Sequence, residues 1–262
     1  MISVIISHYD KVDNLSIILD AFKRQSCTNF EVIISEDGNN NKTKKFLKTL
    51  KYFFPIKHTS QKDIGFRKNR ALNKSIKIAE GNFIVFIDGD CIPHMHFIKE
   101  YYKYKNLNYI FYGRRVMLSK CLSDRILNKE KFNKPKLLNL ILSDYKSAKE
   151  AIYSPIIKLH FNERGLKGCN WGIKKEELMK VNGFDESFVH ATVGEDDDIE
   201  WRLKKIGLKK FSMKNKAIVY HLFHERKYYE NERRINLKIM NKNKLNNCFV
   251  CKNGLQKLRE LQ

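Results

Sequence analysis

An α/β fold, with a mostly parallel central sheet flanked by helices, is predicted by three observations. Short, β-rich apolar runs at residues 2–7, 31–35 and 83–87 alternate with segments of helical periodicity. Polar or acidic residues stand at the end of each run, where ligands of parallel sheets gather. The run Phe83-Ile84-Val85-Phe86-Ile87 is apolar throughout, as a central strand covered on both faces is.

The elements follow in order. Ile2 to Ser7 forms the first strand, and Asp13 is placed to cap a helix whose Leu15, Ile18, Leu19 and Phe22 share one face. A second strand, 31–35, ends in Glu36-Asp37-Gly38 and an Asn-rich turn. A Lys-rich helix is expected near 43–50 and a strand near 53–57. After Gly65 a further helix sets Leu72, Ile76 and Ala79 on one face and Arg67 and Arg70 on another, and Gly81 stops it. The apolar run then leads into Asp88-Gly89-Asp90. Such a triplet by itself is commonly a turn, but at the end of a central strand its two carboxylates present several oxygens to a hard divalent cation. Neither G-x-G-x-x-G nor G-x-x-x-x-G-K-[ST] occurs, which disfavours the dinucleotide and P-loop versions of such a sheet.

The second half carries two further signals. Glu195 to Asp198 are four consecutive acids at the start of a helix whose Ile199, Leu203 and Ile206 face inward. The helix dipole accounts for one or two of them, and less well for four. His221 and His224 follow a strand-like segment, 217–220, about 25 residues after the acidic block, where a metal would find a ligand.

The 262 residues, 42% of them apolar, suffice for one large domain with an elaborated second half. No segment is apolar enough to span a bilayer and the start has no export pattern, so a cytoplasmic location with reduced thiols is expected for its six cysteines. Cys248 and Cys251 form a C-x-x-C with no second pair, a weak zinc or redox signal beside ordinary packing. The basic residues behind the net charge of +22 are spread over the whole chain, and two regions are richer than the rest: 99–150, net +8, and 225–262, net +6. Basic surface of this extent attracts polyanions, and an anionic membrane is preferred here. Leu137, Leu138, Ile141, Leu142 and Tyr145 lie among lysines in 135–153, in the pattern of an interfacial helix or of one packed on the core.

Several blocks together resemble a family 2 glycosyltransferase of the GT-A fold: residues 2–7, 31–38, Gly65-Phe66-Arg67 with Asn69-Arg70, and Phe86 to Pro93. Lys167-Gly168-Cys169-Asn170-Trp171, residues 181–186 and Gly194 to Asp198 resemble the carboxyl-terminal half shared by β1,4-galactosyltransferases and bacterial chondroitin-type polymerases. The resemblance implies a catalytic domain over 1–224, comprising a nucleotide-sugar half (1–118), a variable insertion (119–162) and an acceptor half (163–224), followed by a basic helical tail (225–262). It implies nucleotide-sugar contacts from Ser7, Tyr9, Asp37, Arg67, Arg70, Asp88 and Gly89. Asp90 would ligate a divalent metal, manganese or else magnesium, with His224 or His221. Glu195 and Trp171 would bind the acceptor, Trp171 with a flat face for a sugar unless it is a core residue, and Asp196 would be the general base of an inverting transfer. The implied donor is a UDP-sugar, and the implied acceptor a glycan or lipid-linked glycan in bacterial capsule or lipopolysaccharide synthesis at the inner membrane face. Ser7-His8-Tyr9 departs from the Pro-Thr-Tyr of many relatives, which leaves the role of His8 open.

Three rivals stand beside this reading. A metal-dependent nucleotidyltransferase shares the sheet and carboxylates but has no need of the Glu195-Asp196 block. A nucleic-acid-binding protein accounts for the charge but not for acids and histidines at strand ends, so no nucleic acid is expected as partner. A sugar-binding relative without turnover is the third, although every expected polar position is filled.

Overall fold

A computed structural model describes residues 1–128, 148–156, 164–192, 194–225 and 229–257. Its core is a seven-stranded sheet of order β3-β2-β1-β4-β8-β6-β9, formed by β1 (Ile2–His8), β2 (Phe30–Glu36), β3 (Ile56–Thr59), β4 (Phe83–Asp88), β6 (Tyr109–Tyr112), β8 (Asn170–Lys174) and β9 (Lys209–Ser212). β3, β2, β1 and β4 run parallel, β8 is antiparallel to both neighbours, and β6 pairs with β9 in parallel. A three-stranded sheet of order β5-β10-β7, from β5 (Cys91–Pro93), β7 (Arg114–Met117) and β10 (Ile218–His221), stands beside it.

Helices cover both faces because the central strands are apolar on both. One face packs Ile2, Val4, Ile6, Val32, Val85 and Ile87 against α1 (Val12–Lys23). The other packs Ile5, Ile33, Ile84 and Phe86 against α3 (Lys68–Ile78), through Leu72 and Ile76, and α8 (Glu195–Lys205), through Ile199 and Leu203. Between α1 and α3 lies α2 (Asn41–Lys48). Four further helices complete the chain before the tail or flank the sheet: α4 (Phe97–Tyr104), α5 (Lys120–Leu127), α6 (Ala148–Ala151) and α7 (Lys175–Lys180).

Element boundaries depart from the sequence reading in three places. Lys11, not Asp13, occupies the cap of α1, and Asp13 lies in the first turn, where it meets the helix dipole instead. The second helix begins two residues early because Asn40 caps it, its side chain accepting from the Lys42 N–H. β3 begins only at Ile56, since Phe54 turns into the first core cluster against Phe30.

Residues 229–257 pack against the body formed by the sheet and its helices. The helix α9 (Glu230–Leu245) packs on α8, with Asn243 donating to Asp185 and Asp198, and Leu255 enters the core cluster of Ile5 and Trp171. Cys251 is buried with its thiol against the Asn182 carbonyl, so the C-x-x-C is a packing feature, and all six cysteines are free. Of the basic amphipathic segment expected over 135–153, residues 135–147 lie outside the described residues.

Candidate active site

The sheet order places a crevice where β1 lies between β2 and β4, because the chain leaves β1 toward one side and returns to the other. At the carboxyl ends of these strands a cavity of about 380 Å³ is lined by Ser7, Tyr9, Asp37, Lys68, Asp88 and Gly89. Ser7 pairs in register with both Ser35 and Asp88, which brings three strand ends to one level. Gly89 is required by close approach: a Cβ there would lie 2.5 Å from the Ser7 carbonyl oxygen. His8, the departure from the family pattern, is buried with Nε2 3.0 Å from Thr43 Oγ1, and burial pushes its pKa down to about 4.

Asp37 holds the wall of the cavity. Its Oδ1 accepts from Gln61 Nε2 at 2.8 Å and its Oδ2 from the Arg67 backbone N–H at 2.6 Å. Tyr9 is 60% exposed at the rim and donates to Asp63 at 3.1 Å. The two arginines do not take the places expected of them. α3 begins at Lys68, so Arg67 is its cap, with a guanidinium that turns back to the Lys62 carbonyl; Arg70 is exposed and lines no part of the cavity. The cation that does enter is Lys68, whose Nζ donates to Asp88 Oδ1 at 2.8 Å. Sequence reasoning missed it, although Lys68, Leu72 and Ile76 are spaced four apart on the inner face of α3.

Asp90, His221 and His224 form a second cluster. The small sheet assembles it, since β10 pairs antiparallel with β5 and sets His221 opposite Cys91, while the Leu222 N–H donates to the Asp90 carbonyl at 2.8 Å. Each histidine Nε2 lies 3.4 Å from the same Asp90 Oδ2, and one ligand atom from each of the three residues falls within 4.8 Å of the others. A separation of 3.4 Å is long for a hydrogen bond but suits ligands sharing one ion, because donors each about 2.1 Å from a metal sit roughly 3 to 3.5 Å apart. Burial lowers the His221 pKa, against the pull of Asp90, and so favours the neutral imidazole that a metal needs. The residues present fit a divalent cation, and both histidines approach the same Asp90 oxygen.

The four acids of α8 divide by position. Asp198 turns inward and accepts from Arg202 Nε at 2.7 Å, while Arg202 also donates to the Val181 and Gly183 carbonyls, so this acid is structural. Asp197 is exposed. Glu195 and Asp196 face the site: burial and then the Asp196 charge push Glu195 up to about 8, and burial also raises Asp196, with Lys68 opposing both. The Gly168 backbone N–H donates to Asp196 Oδ2 at 2.7 Å and fixes the carboxylate.

Trp171 is a correction. It is 1% exposed, stacked on Phe86 at 4.5 Å between ring centroids, and so offers no face to an acceptor. The cause is register: β8 lies between β4 and β6, so its first residues are covered on both sides, and neighbouring Asn170 is buried too, donating to the Arg114 and Ala217 carbonyls.

Two family models match the chain. Glycosyl transferase family 2 matches residues 3–168, which carry the cavity and the Asp88-Gly89-Asp90 triplet. The chain belongs to glycosyl transferase family 2. A model described as the N-terminal domain of galactosyltransferase matches residues 151–225, with Glu195, Asp196 and both histidines. Among curated relatives, this glycosyltransferase is 29% identical over 90 residues to validoxylamine A glucosyltransferase of Streptomyces hygroscopicus subsp. jinggangensis, a match covering 34% of this chain and 21% of that protein. It is 28% identical over 101 residues to the hyaluronan synthase of Pasteurella multocida, covering 38% of this chain and 10% of the synthase. The chain thus matches about a fifth and a tenth of these relatives' lengths. Among solved structures, S. aureus TarS in complex with UDP superposes with a TM-score of 0.61 at 15% identity, covering 92% of this chain and 71% of that one. The mannosyltransferase PcManGT of Pyrobaculum calidifontis, in complex with GDP-Man and Mn2+, gives 0.60 at 15% identity, covering 94% and 64%. The fold is GT-A.

Proposed function

We propose that this glycosyltransferase is inverting and metal-dependent, and moves a hexose or N-acetylhexosamine from a UDP-sugar to a glycan hydroxyl. The observation that carries the reading is the facing of two groups. Asp88 and the Asp90, His221, His224 cluster stand at the donor strand ends, and Asp196 stands across from them on α8, with Lys68 between. Asp90, His221 and His224 would hold a divalent metal, manganese by analogy with the PcManGT complex in place of magnesium, which when bound would supply positive charge beside the leaving diphosphate. Asp37, Ser7 and Tyr9 receive the nucleoside, and Asp88 with Gly89 the ribose and diphosphate side. Asp196 removes the acceptor hydroxyl proton as that oxygen attacks the anomeric carbon, the bond from carbon to diphosphate oxygen breaks, and the diphosphate leaves with the electron pair. Glu195 orients the acceptor. UDP is favoured as carrier because TarS was solved with UDP and with UDP-GlcNAc.

The domain limits, with catalytic residues 1–224 and a tail from 225, belong to the same proposal, as does an acceptor borne on a lipid carrier in surface polysaccharide synthesis. The net charge of +22 and the exposed Arg234, Lys238, Lys242 and Lys244 on the tail helix suit the inner face of an anionic membrane. No helix among the described residues is long and apolar enough to cross a membrane. The test is nucleotide release from a panel of UDP-Gal, UDP-GalNAc, UDP-GlcNAc and GDP-mannose, with oligosaccharide acceptors and manganese. Acceptor-stimulated release of UDP from one UDP-sugar is expected; release from none of the UDP-sugars, or selective use of GDP-mannose, contradicts the donor assignment.

A further inference from the structure

Lys68 has no role in the transfer as described so far, yet it is the cation shared by Asp88, Glu195 and Asp196. It rises from the first turn of α3, 20% exposed, and pairs with Asp88 on β4 at 2.8 Å. Burial works against its ammonium, but Asp88, Asp196 and Glu195 together hold its pKa above the usual lysine value. The groups facing Asp196 are Lys68 from α3, Asp88 from β4, Asp197 from its own helix and the Gly168 N–H; those facing Glu195 are Asp196, Lys68 and Asp88. In this set Lys68 is the cation shared by both acids. One oxygen of Glu195, Oε2, is buried with no hydrogen-bond partner, so at that oxygen the charge of Lys68 opposes the rise that burial imposes on this carboxyl.

We propose that Lys68 is a positioning residue for the transfer, a fixed cation between donor-side Asp88 and acceptor-side Glu195 and Asp196 that keeps the base ionised and lets these acids share one site. The proposal rests on the transferase reading above, in which Asp196 takes the proton. Three acids, one of them lining the cavity, repel one another and an incoming diphosphate alike, and an ammonium among them relieves both repulsions. Its tether to Asp88 also holds that side chain toward the cavity.

The test compares Lys68→Met and Lys68→Gln with the wild type and Lys68→Arg, reading kcat/KM against pH. Loss of a facing cation raises the pKa of the acid pair, so the acidic limb is expected to move up by about one to three pH units in both neutral variants and to return toward its original place in Lys68→Arg. A lysine that served only packing would lower activity at every pH and leave the limb where it was; an unmoved limb in either folded variant overturns the proposal. Carboxyl titration by 13C NMR separates the proposal from the reading beneath it. A wild type that transfers no sugar sinks the transferase reading, while the same upward shift of the Glu195-Asp196 titration on removing Lys68 upholds the cation's role, and an unshifted titration overturns it.

Discussion

Gly168→Ala tests the geometry of the base with the smallest possible change. The half-buried Gly168 is not among the positive-φ glycines, so alanine can take its backbone conformation without strain. Its new Cβ would lie 2.7 Å from Asp196 Oδ1 and 3.2 Å from Oδ2, against an ordinary contact beginning at 3.4 Å. Since the Gly168 N–H also anchors Oδ2 at 2.7 Å, the carboxylate cannot simply rotate away and must recede by about 0.7 Å. A misplacement approaching 1 Å at a reacting group costs on the order of 100-fold in rate, so kcat should fall about 10- to 100-fold. Asp37, Asp88 and the metal cluster are untouched, and the UDP dissociation constant should hold within about twofold, since no binding contact is lost. The assay pairs steady-state kinetics with calorimetric UDP titration. A folded Gly168→Ala enzyme with the wild-type kcat would refute the placement of Asp196 as base.

Other consequences follow from the same structure. Arg202→Met leaves Asp198 buried without its partner and should destabilise the fold by about 3 to 5 kcal/mol in urea unfolding, with part of the loss recovered by adding Asp198→Leu; a change under about 1 kcal/mol contradicts the assignment of that acid to structure. Glu195 has a folded pKa of about 8, raised above its unfolded value of 4.5, so its contribution to stability is full below about pH 4.5 and is lost as pH rises through about 8. Glu195→Gln should therefore flatten the fall in Tm between those limits, and an identical Tm profile would show that the acid is not desolvated. Trp171→Phe, a change inside the core, should cost stability and leave acceptor KM unchanged; a selective rise in acceptor KM would return the residue to the acceptor site.

The parts of the fold written in local sequence were legible, and those set by distant segments were not. Residues 2–7, 31–35 and 83–87 read as buried strands because both of their faces are covered, and the structure pairs them side by side. Asp90 and the two histidines were legible as separate strand-end residues, but their meeting depends on β10 folding back beside β5 over more than a hundred residues. The resemblance implies nucleotide contacts from the two arginines, but the inner face of α3 carries Lys68 with Leu72 and Ile76, and Arg67 is taken up as the helix cap. Trp171 stood between an acceptor and a core reading because a tryptophan in a short strand has the same local signature whether it faces a ligand or the core, and the structure buries it. The surplus of acids at 195–198 had a local clue in Asp198 and Arg202, four apart on one helix, which accounts for one acid; with Asp197 exposed, two are left for the site.

The most direct test of the central claim is calorimetric titration of UDP into wild type and Asp90→Ala, each with manganese and with a chelator. The account predicts tight binding only for wild type with manganese, and weakening of at least about tenfold on removing either the metal or the carboxylate. Equal UDP affinity in all four titrations would contradict a metal site at Asp90, His221 and His224, and with it the mechanism built on that site.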